Sequence, residues 1–190
     1  MVIEGDEYDT AFFDKGAKFF HYTPHIAIAT GVEFDHADIF KDLDHVRNVF
    51  ARFIGGIPET NLLLGFDSEP NLKKIASEAK CNVEFYGRKP GSRWRLGRIE
   101  IHPPRMNFGI FKDGKFFGKF PSNLMGEHNV LNTLAVIAAC CRLDISVSTL
   151  ADGLKAFKGV RRRQEVRGIK RGITVVDDFA HHPTAVRETI

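Results

Sequence analysis

The chain has 190 residues, of which 43% are hydrophobic and 27% charged. That is the balance of an ordinary globular protein with room for one filled domain, or for one domain and part of another. A formal charge of only +3 supplies no clustered basic face, so no nucleic acid partner is expected. Cys81, Cys140 and Cys141 show no CxxC spacing, which excludes a disulfide framework, a zinc site and dithiol chemistry as leading explanations. With no basic-then-apolar leader and no apolar run near ~20 residues, the expectation is a cytoplasmic protein with no membrane partner.

Met1-Val2-Ile3 reads as a buried strand that runs straight into the acidic turn Glu4-Gly5-Asp6-Glu7. So abrupt an opening predicts a missing N-terminal segment. Residues 26–30 (IAIAT) form a second apolar run without alternation, as expected where both faces of a strand are covered. Leu43, Val46, Phe50 and Phe53 fall at helical spacing. A strand over 61–66, a helix over 71–79 and a strand over 83–86 follow. Strands alternating with helices predict an α/β fold with a mostly parallel sheet flanked by helices.

The pattern changes over 94–120, where apolar and polar residues alternate around Asp113-Gly114, a hairpin turn. A small antiparallel sheet is expected there. Residues 128–143 are apolar nearly all round and predict a buried helix. A shorter helix covers 148–157. The basic turn Arg161-Arg162-Arg163 leads into a hairpin, 164–167 with 173–177, and a last helix starts near Thr184.

Three clusters carry candidate chemistry: EGDEYD (4–9), the Asp35-His36 pair in GVEFDHADIF (31–40), and Asp177-Asp178 with His181-His182. In open parallel sheets the loops at the carboxyl ends of strands line the ligand crevice. Glu4 and His36, each read as following a strand, are therefore expected to converge there and suit a divalent cation. Taken singly, the acidic turn also fits a solvated loop and Asp38 a helix cap. His181-His182-Pro183 fits a linker into a helix started by proline. His128 and Asn132 share a face at the start of the apolar helix. An unpartnered amide buried there would cost ~1–3 kcal/mol, so Asn132 is expected to need a partner such as a base edge. The arginine turn is either a solvated face or an anion site for phosphate.

In this order, EGDEYD, VEFDHADIF, GEHNVLNTLAVIA, GVRRRQEV and VVDDFAHHPTAVRE resemble the central ATPase domain of the Mur ligases and its exit. The resemblance covers nearly the whole chain. The opening, the EFDHADIF stretch and the DDFAHHPTA stretch look most like the branch that joins UDP-N-acetylmuramate to the tripeptide L-Ala-γ-D-Glu-meso-diaminopimelate in cell-wall recycling. The branch that adds L-alanine is the next nearest. The family phosphorylates the muramyl carboxylate from ATP, and an amine then attacks the acyl phosphate.

By motif position the resemblance implies Mg²⁺ on Glu4 and His36, adenine at His128 and Asn132, phosphate at Arg163, and ribose near Asp178. It also implies a P-loop-NTPase-like central domain over 1–177 and, over 178–190, a linker and the start of a C-terminal ligase domain. The glycine-rich phosphate loop G-x-x-x-x-G-K-[ST] is found nowhere in the chain, so the chain alone is expected to be inactive and to bind ATP poorly. Gly31 stands where the family usually has Asn. Val49 and Phe50 occupy the helix where some relatives place a carbamylated lysine. Two competing readings are an inert fragment and a metal-dependent phosphohydrolase using Glu4, His36, Asp178 and His182.

Overall fold

In the computed structural model, which describes residues 1–9, 14–103 and 105–190, the chain divides into two units, Met1–Trp94 and Arg95–Ile190. The first is organised by strand β2 (Leu62–Phe66), whose Leu62, Leu63, Leu64 and Gly65 are all buried. Such a strand needs neighbours on both edges and cover on both faces. Strand β1 (Ile26–Ala29) pairs with it in parallel, Ile28 opposite Leu64, and β3 (Asn82–Gly87) does so on the other edge, Leu64 opposite Glu84. Parallel neighbours require crossovers, supplied by helices α1 (Leu43–Gly55) and α2 (Pro70–Ala76).

Both helices begin on local chemistry. The Asp42 carboxylate accepts from the His45 N–H at 2.8 Å. Glu69 accepts from the Asn71 N–H at 2.8 Å, with Pro70 at the first position of α2. Their apolar faces (Val46 and Ile54, Leu72 and Ile75) join Leu63, Val32 and Phe40 in one core. Each such buried side chain stabilises the unit by about 1.5–3 kcal/mol. Helix α2 stops at Ala76, short of the expected Ala79. The Ser77 hydroxyl takes the Lys74 carbonyl at 2.7 Å, and the next amides close tighter turns onto Ile75 and Ala76.

The expected strand at Met1-Val2-Ile3 is not formed. All three residues are exposed and outside any strand, because an apolar run with no ladder to join leaves its backbone groups to water.

At the carboxyl ends of β2 and β3 lies a buried carboxylate. Asp67 is 1% exposed. Its Oδ2 accepts from the Lys89 N–H and the Ser92 hydroxyl, and its Oδ1 from the Ser68 hydroxyl, all at 2.7 Å. Gly87, at φ +149°, gives this carboxylate its space: a Cβ there would lie 2.3 Å from Asp67 Cγ.

In the second unit β4 (Trp94–His102, beginning at the unit boundary), β5 (Arg105–Lys112) and β6 (Lys115–Ser122) follow in chain order. β5 and β6 are antiparallel, Phe108 opposite Phe120, with Met106, Phe108 and Ile110 buried. Asp113 (φ +50°) and Gly114 (φ +76°) make the expected tight turn. Helix α3 (Glu127–Arg142) buries Val130, Thr133, Leu134, Ala135, Ile137 and Ala138. It is not buried all round as expected: Asn132 and Val136, four apart on one face, are exposed. Helix α4 (Val147–Ala156) ends with its carbonyls taken up by Asn123, whose amide donates to Lys155 and Phe157 at 2.9 and 3.0 Å. The antiparallel hairpin of β7 (Glu165–Lys170) and β8 (Ile173–Asp177) and helix α5 (Pro183–Thr189) complete the unit.

The fold class is therefore α/β, as expected, with helices flanking parallel strands. The antiparallel pairing expected over 94–120 is found in β5 and β6, but the separate two-stranded sheet is β7–β8, where only a hairpin was expected. No helix among the described residues is long and apolar enough to cross a membrane. Gly87→Ala should destabilise the fold by about 2–3 kcal/mol, since the new methyl must displace a buried, fully bonded carboxylate. Urea unfolding of wild type and variant measures this directly.

Candidate functional site

The segment from β1 to α1 must leave a strand, reach the sheet edge and enter a helix. Val32 and Phe40 anchor it in the core. Asn71 donates to the Val32 carbonyl at 2.9 Å, and Arg47 Nε holds the other end of that amide at 2.8 Å. Between these anchors His36 adopts φ +53°, a conformation costing on the order of 1–3 kcal/mol for a non-glycine residue. Its N–H donates to Asp35 Oδ1 at 2.7 Å, and its carbonyl accepts from Ile39 and Phe40 at 2.9 Å each.

The bend brings His36 Nε2 to 3.6 Å from Glu7 Oε1 and 4.0 Å from Asp35 Oδ2. The Tyr8 ring meets the imidazole edge-on at 4.7 Å, and the Tyr8 hydroxyl donates to Asp38 Oδ2 at 2.5 Å. The acidic turn and the Asp35-His36 segment thus meet, through Glu7 and Tyr8. Glu4 lies exposed in the coil ahead of them and follows no strand. Residues 10–13, directly after the acidic turn, lie outside the described residues.

Among the described residues no three His, Cys, Asp or Glu side chains form a ready metal cage. Mg²⁺ seldom needs one; one or two carboxylates, water and phosphate oxygens usually complete its shell. The carboxylates of Glu7 and Asp35 beside the His36 imidazole could supply one or two ligands of such a shell.

The remaining candidates belong to the second unit. Gly126, at φ +90°, opens α3, and a Cβ there would sit 2.7 Å from His128 Cε1. Glycine therefore lets the imidazole fold back over the helix start. His128 Nδ1 is buried with no hydrogen-bond partner among the described residues, a state that costs about 1–3 kcal/mol until a ligand satisfies it. Asn132 is exposed, so the expected burial cost does not arise there; the orphaned group is on His128 instead.

Asn129 donates to the Met125 carbonyl at 2.7 Å and to Gln164 Oε1 at 3.1 Å. The Gln164 N–H donates to Asp178 Oδ2 at 2.8 Å, and the Ala180 N–H to Asp178 Oδ1 at 2.7 Å. Arg162 (φ +59°) and Gln164 (φ +51°) bend the basic turn, and the Phe179 N–H closes on the Arg162 carbonyl at 2.8 Å. Arg161, Arg162 and Arg163 are all exposed. The guanidinium groups of Arg162 and Arg163 lie 4.8 and 5.8 Å from the Phe179 ring centre. The start of α3, the arginine turn and Asp178 are thereby tied together. His182 receives the Thr184 N–H at 3.3 Å, as a helix cap would.

Sequence reasoning missed Glu7, Tyr8 and Gln164 as the residues that make these ties. All three lie inside the motifs singled out above. Their signal was position alone, since nothing in their type distinguishes them from solvated neighbours.

The family model described as Mur ligase middle domain matches residues 1–140. This chain belongs to the Mur ligases. It is 38% identical over 191 aligned residues to the UDP-N-acetylmuramate–L-alanyl-γ-D-glutamyl-meso-2,6-diaminoheptandioate ligase of Haemophilus influenzae, covering 100% of this chain and 41% of that one. It is 35% identical over 191 to the UDP-N-acetylmuramate–L-alanine ligase of Clostridium acetobutylicum, covering 100% and 42%. Among solved structures it resembles the UDP-N-acetylmuramate:L-alanyl-γ-D-glutamyl-meso-diaminopimelate ligase from Neisseria meningitides, with a TM-score of 0.73 and 38% identity over 85% of this chain and 48% of that one. This Mur ligase chain thus spans about two fifths of its curated relatives' length.

One charge in the first cluster has a pH signature. Partial burial of Asp6 opposes its ionisation, but the Lys18 ammonium at 2.9 Å and the Tyr8 N–H outweigh it and hold the carboxyl below its ordinary value of 3.8. A carboxyl depressed on folding adds stability above its unfolded pKa, and that stability is lost as pH falls through the folded value. Asp6→Asn should therefore be less stable than wild type at neutral pH, and in urea unfolding the gap should close as pH falls below the ordinary carboxylate value.

Proposed function

We propose that this Mur ligase chain is the nucleotide-handling segment of an ATP-dependent ligase that joins UDP-N-acetylmuramate to L-alanyl-γ-D-glutamyl-meso-diaminopimelate in cell-wall peptide recycling. The observation that carries the substrate reading is the 38% identity, along the whole chain, with the Haemophilus influenzae and Escherichia coli ligases named for that tripeptide. Ligation to L-alanine is the second reading, favoured by 35% identity along the whole chain to the Clostridium acetobutylicum enzyme.

In this reading residues 1–177 are the ATPase segment, and 178–190 lead into the ligase domain. The buried Nδ1 of His128 meets the adenine edge, with Asn132 one turn further along the same helix. Each Asp178 oxygen accepts one backbone N–H and retains a lone pair for a ribose hydroxyl. Arg163 reaches the phosphates. His36 and Glu4, with Glu7 beside the imidazole, would hold Mg²⁺, which when bound would neutralise phosphate charge. Phosphoryl transfer depends on such positioning and neutralisation more than on a strong acid or base. A muramyl carboxylate oxygen takes the γ-phosphoryl group and ADP leaves. The amine then attacks the carbonyl, phosphate departs, and the nitrogen gives up a proton.

In the full-length enzyme supplied with Mg-ATP and UDP-N-acetylmuramate, the tripeptide should be ligated and L-alanine left unused. Turnover of L-alanine alone selects the second reading, and turnover of neither sinks both. In the same assay Arg163→Ala should lower kcat on the order of 10²-fold, while Arg161→Ala leaves it nearly unchanged. Equal, small effects would return the arginine turn to a solvated surface.

A further inference from the structure

His36 is held in a strained conformation in the middle of a long connection, yet the anchors of that connection, Val32 and Phe40, lie four residues to either side. Something nearer must fix the imidazole, and Tyr8 has the geometry to do so. Its ring stands at 89° to the imidazole with centroids 4.7 Å apart, which blocks rotation of the histidine ring toward it. Its hydroxyl reaches across to Asp38 Oδ2 at 2.5 Å, two residues beyond His36. Tyr8 is itself pinned at both backbone groups: its N–H donates to Asp6 Oδ1 at 2.9 Å, and its carbonyl accepts from Lys18 at 3.0 Å. Asp6 is in turn held by the Lys18 ammonium at 2.9 Å. Tyr8 is half-buried and is not among the core residues of the described part of the chain, while its hydroxyl and ring edge both meet the His36 segment.

We propose that Tyr8 is a positioning residue for the cation site, presetting the His36 imidazole through its ring edge and locking the His36 segment to the acidic turn through its bond to Asp38. This rests on the reading that His36 receives the cation. The hydroxyl-to-carboxylate bond closes one flank of the His36 segment, and loss of a partner that orients a metal ligand typically weakens a metal site 10- to 100-fold.

The test is a titration of the full-length protein with Mn²⁺ alone, read by loss of the free-ion electron paramagnetic resonance signal, with thermal unfolding measured in parallel. Tyr8→Phe keeps the ring edge and deletes the hydroxyl, and it should weaken Mn²⁺ binding about tenfold without moving the unfolding midpoint. Asp38→Ala should match it. Asp38→Asn keeps an acceptor for the hydroxyl and should bind within a small factor of wild type, whereas an equal loss in Asp38→Asn and Asp38→Ala would assign the effect to charge and overturn the proposal. Wild-type affinity in Tyr8→Phe alongside lost binding in His36→Ala also overturns it, while leaving the metal reading intact. Unchanged binding in His36→Ala removes the metal reading, and the proposal with it.

Discussion

The first unit depends on the burial of β2 on both faces. A strand with no polar face cannot turn a side to water, so its amides and carbonyls are satisfied only by strands on both edges. Because β1 and β3 run parallel to it, every return passes through a helix, and every loop leaving a strand emerges at the same edge. That edge receives the His36 segment after β1 and Asp67 after β2. Asn71, at the start of α2, joins the two by holding the Val32 carbonyl. The strained backbone at His36 is affordable because the segment that contains it is fixed from several directions by groups the core has already placed.

The second unit reaches a comparable result by other means. Its candidate residues are gathered by short polar bonds from backbone amides to one carboxylate, Asp178, and from one amide side chain, Asn129, to Gln164. Two left-handed residues, Arg162 and Gln164, bend the arginine turn, and the Gln164 N–H reaches Asp178. The glycine at 126 works in the opposite sense: it removes bulk so that an imidazole can lie where a side chain would otherwise stand.

Much of this was legible in the sequence, for identifiable reasons. Unbroken apolar runs marked β1 and β2, and alternation around Asp113-Gly114 marked β5 and β6, because each pattern reflects a local physical requirement. The cap of α1 was expected at Asp38, but Asp42 fills it and Asp38 takes the Tyr8 hydroxyl instead. The failures came where composition was read without its neighbours. Met1-Val2-Ile3 has strand composition but no ladder to join. Asn132 stands among apolar residues along the chain, yet on the open face of α3. Ser77 ended α2 early through a hydroxyl bond that leaves no trace in a hydrophobic pattern. In the acidic turn the sequence pointed to Glu4, whereas the carboxylate beside His36 is that of Glu7, since the two are the same residue type three positions apart and only the fold selects which one faces His36.

The β7–β8 hairpin carries Val166, Ile169, Ile173, Val175 and Val176 to solvent, Ile169 at 70% exposure. It is braced near its base by Arg167, which bridges to Asp177 at 2.8 Å. A two-stranded ribbon with so little covered surface has marginal stability of its own. Its amides exchange with water through local openings far less costly than unfolding the β2 core. Gln164 immediately precedes this ribbon and Asp178 immediately follows it, so each opening at its base also unfastens the bond between them. A local opening at the base of the ribbon would thus also loosen the arginine turn, which couples the order of that turn to an adjoining surface element.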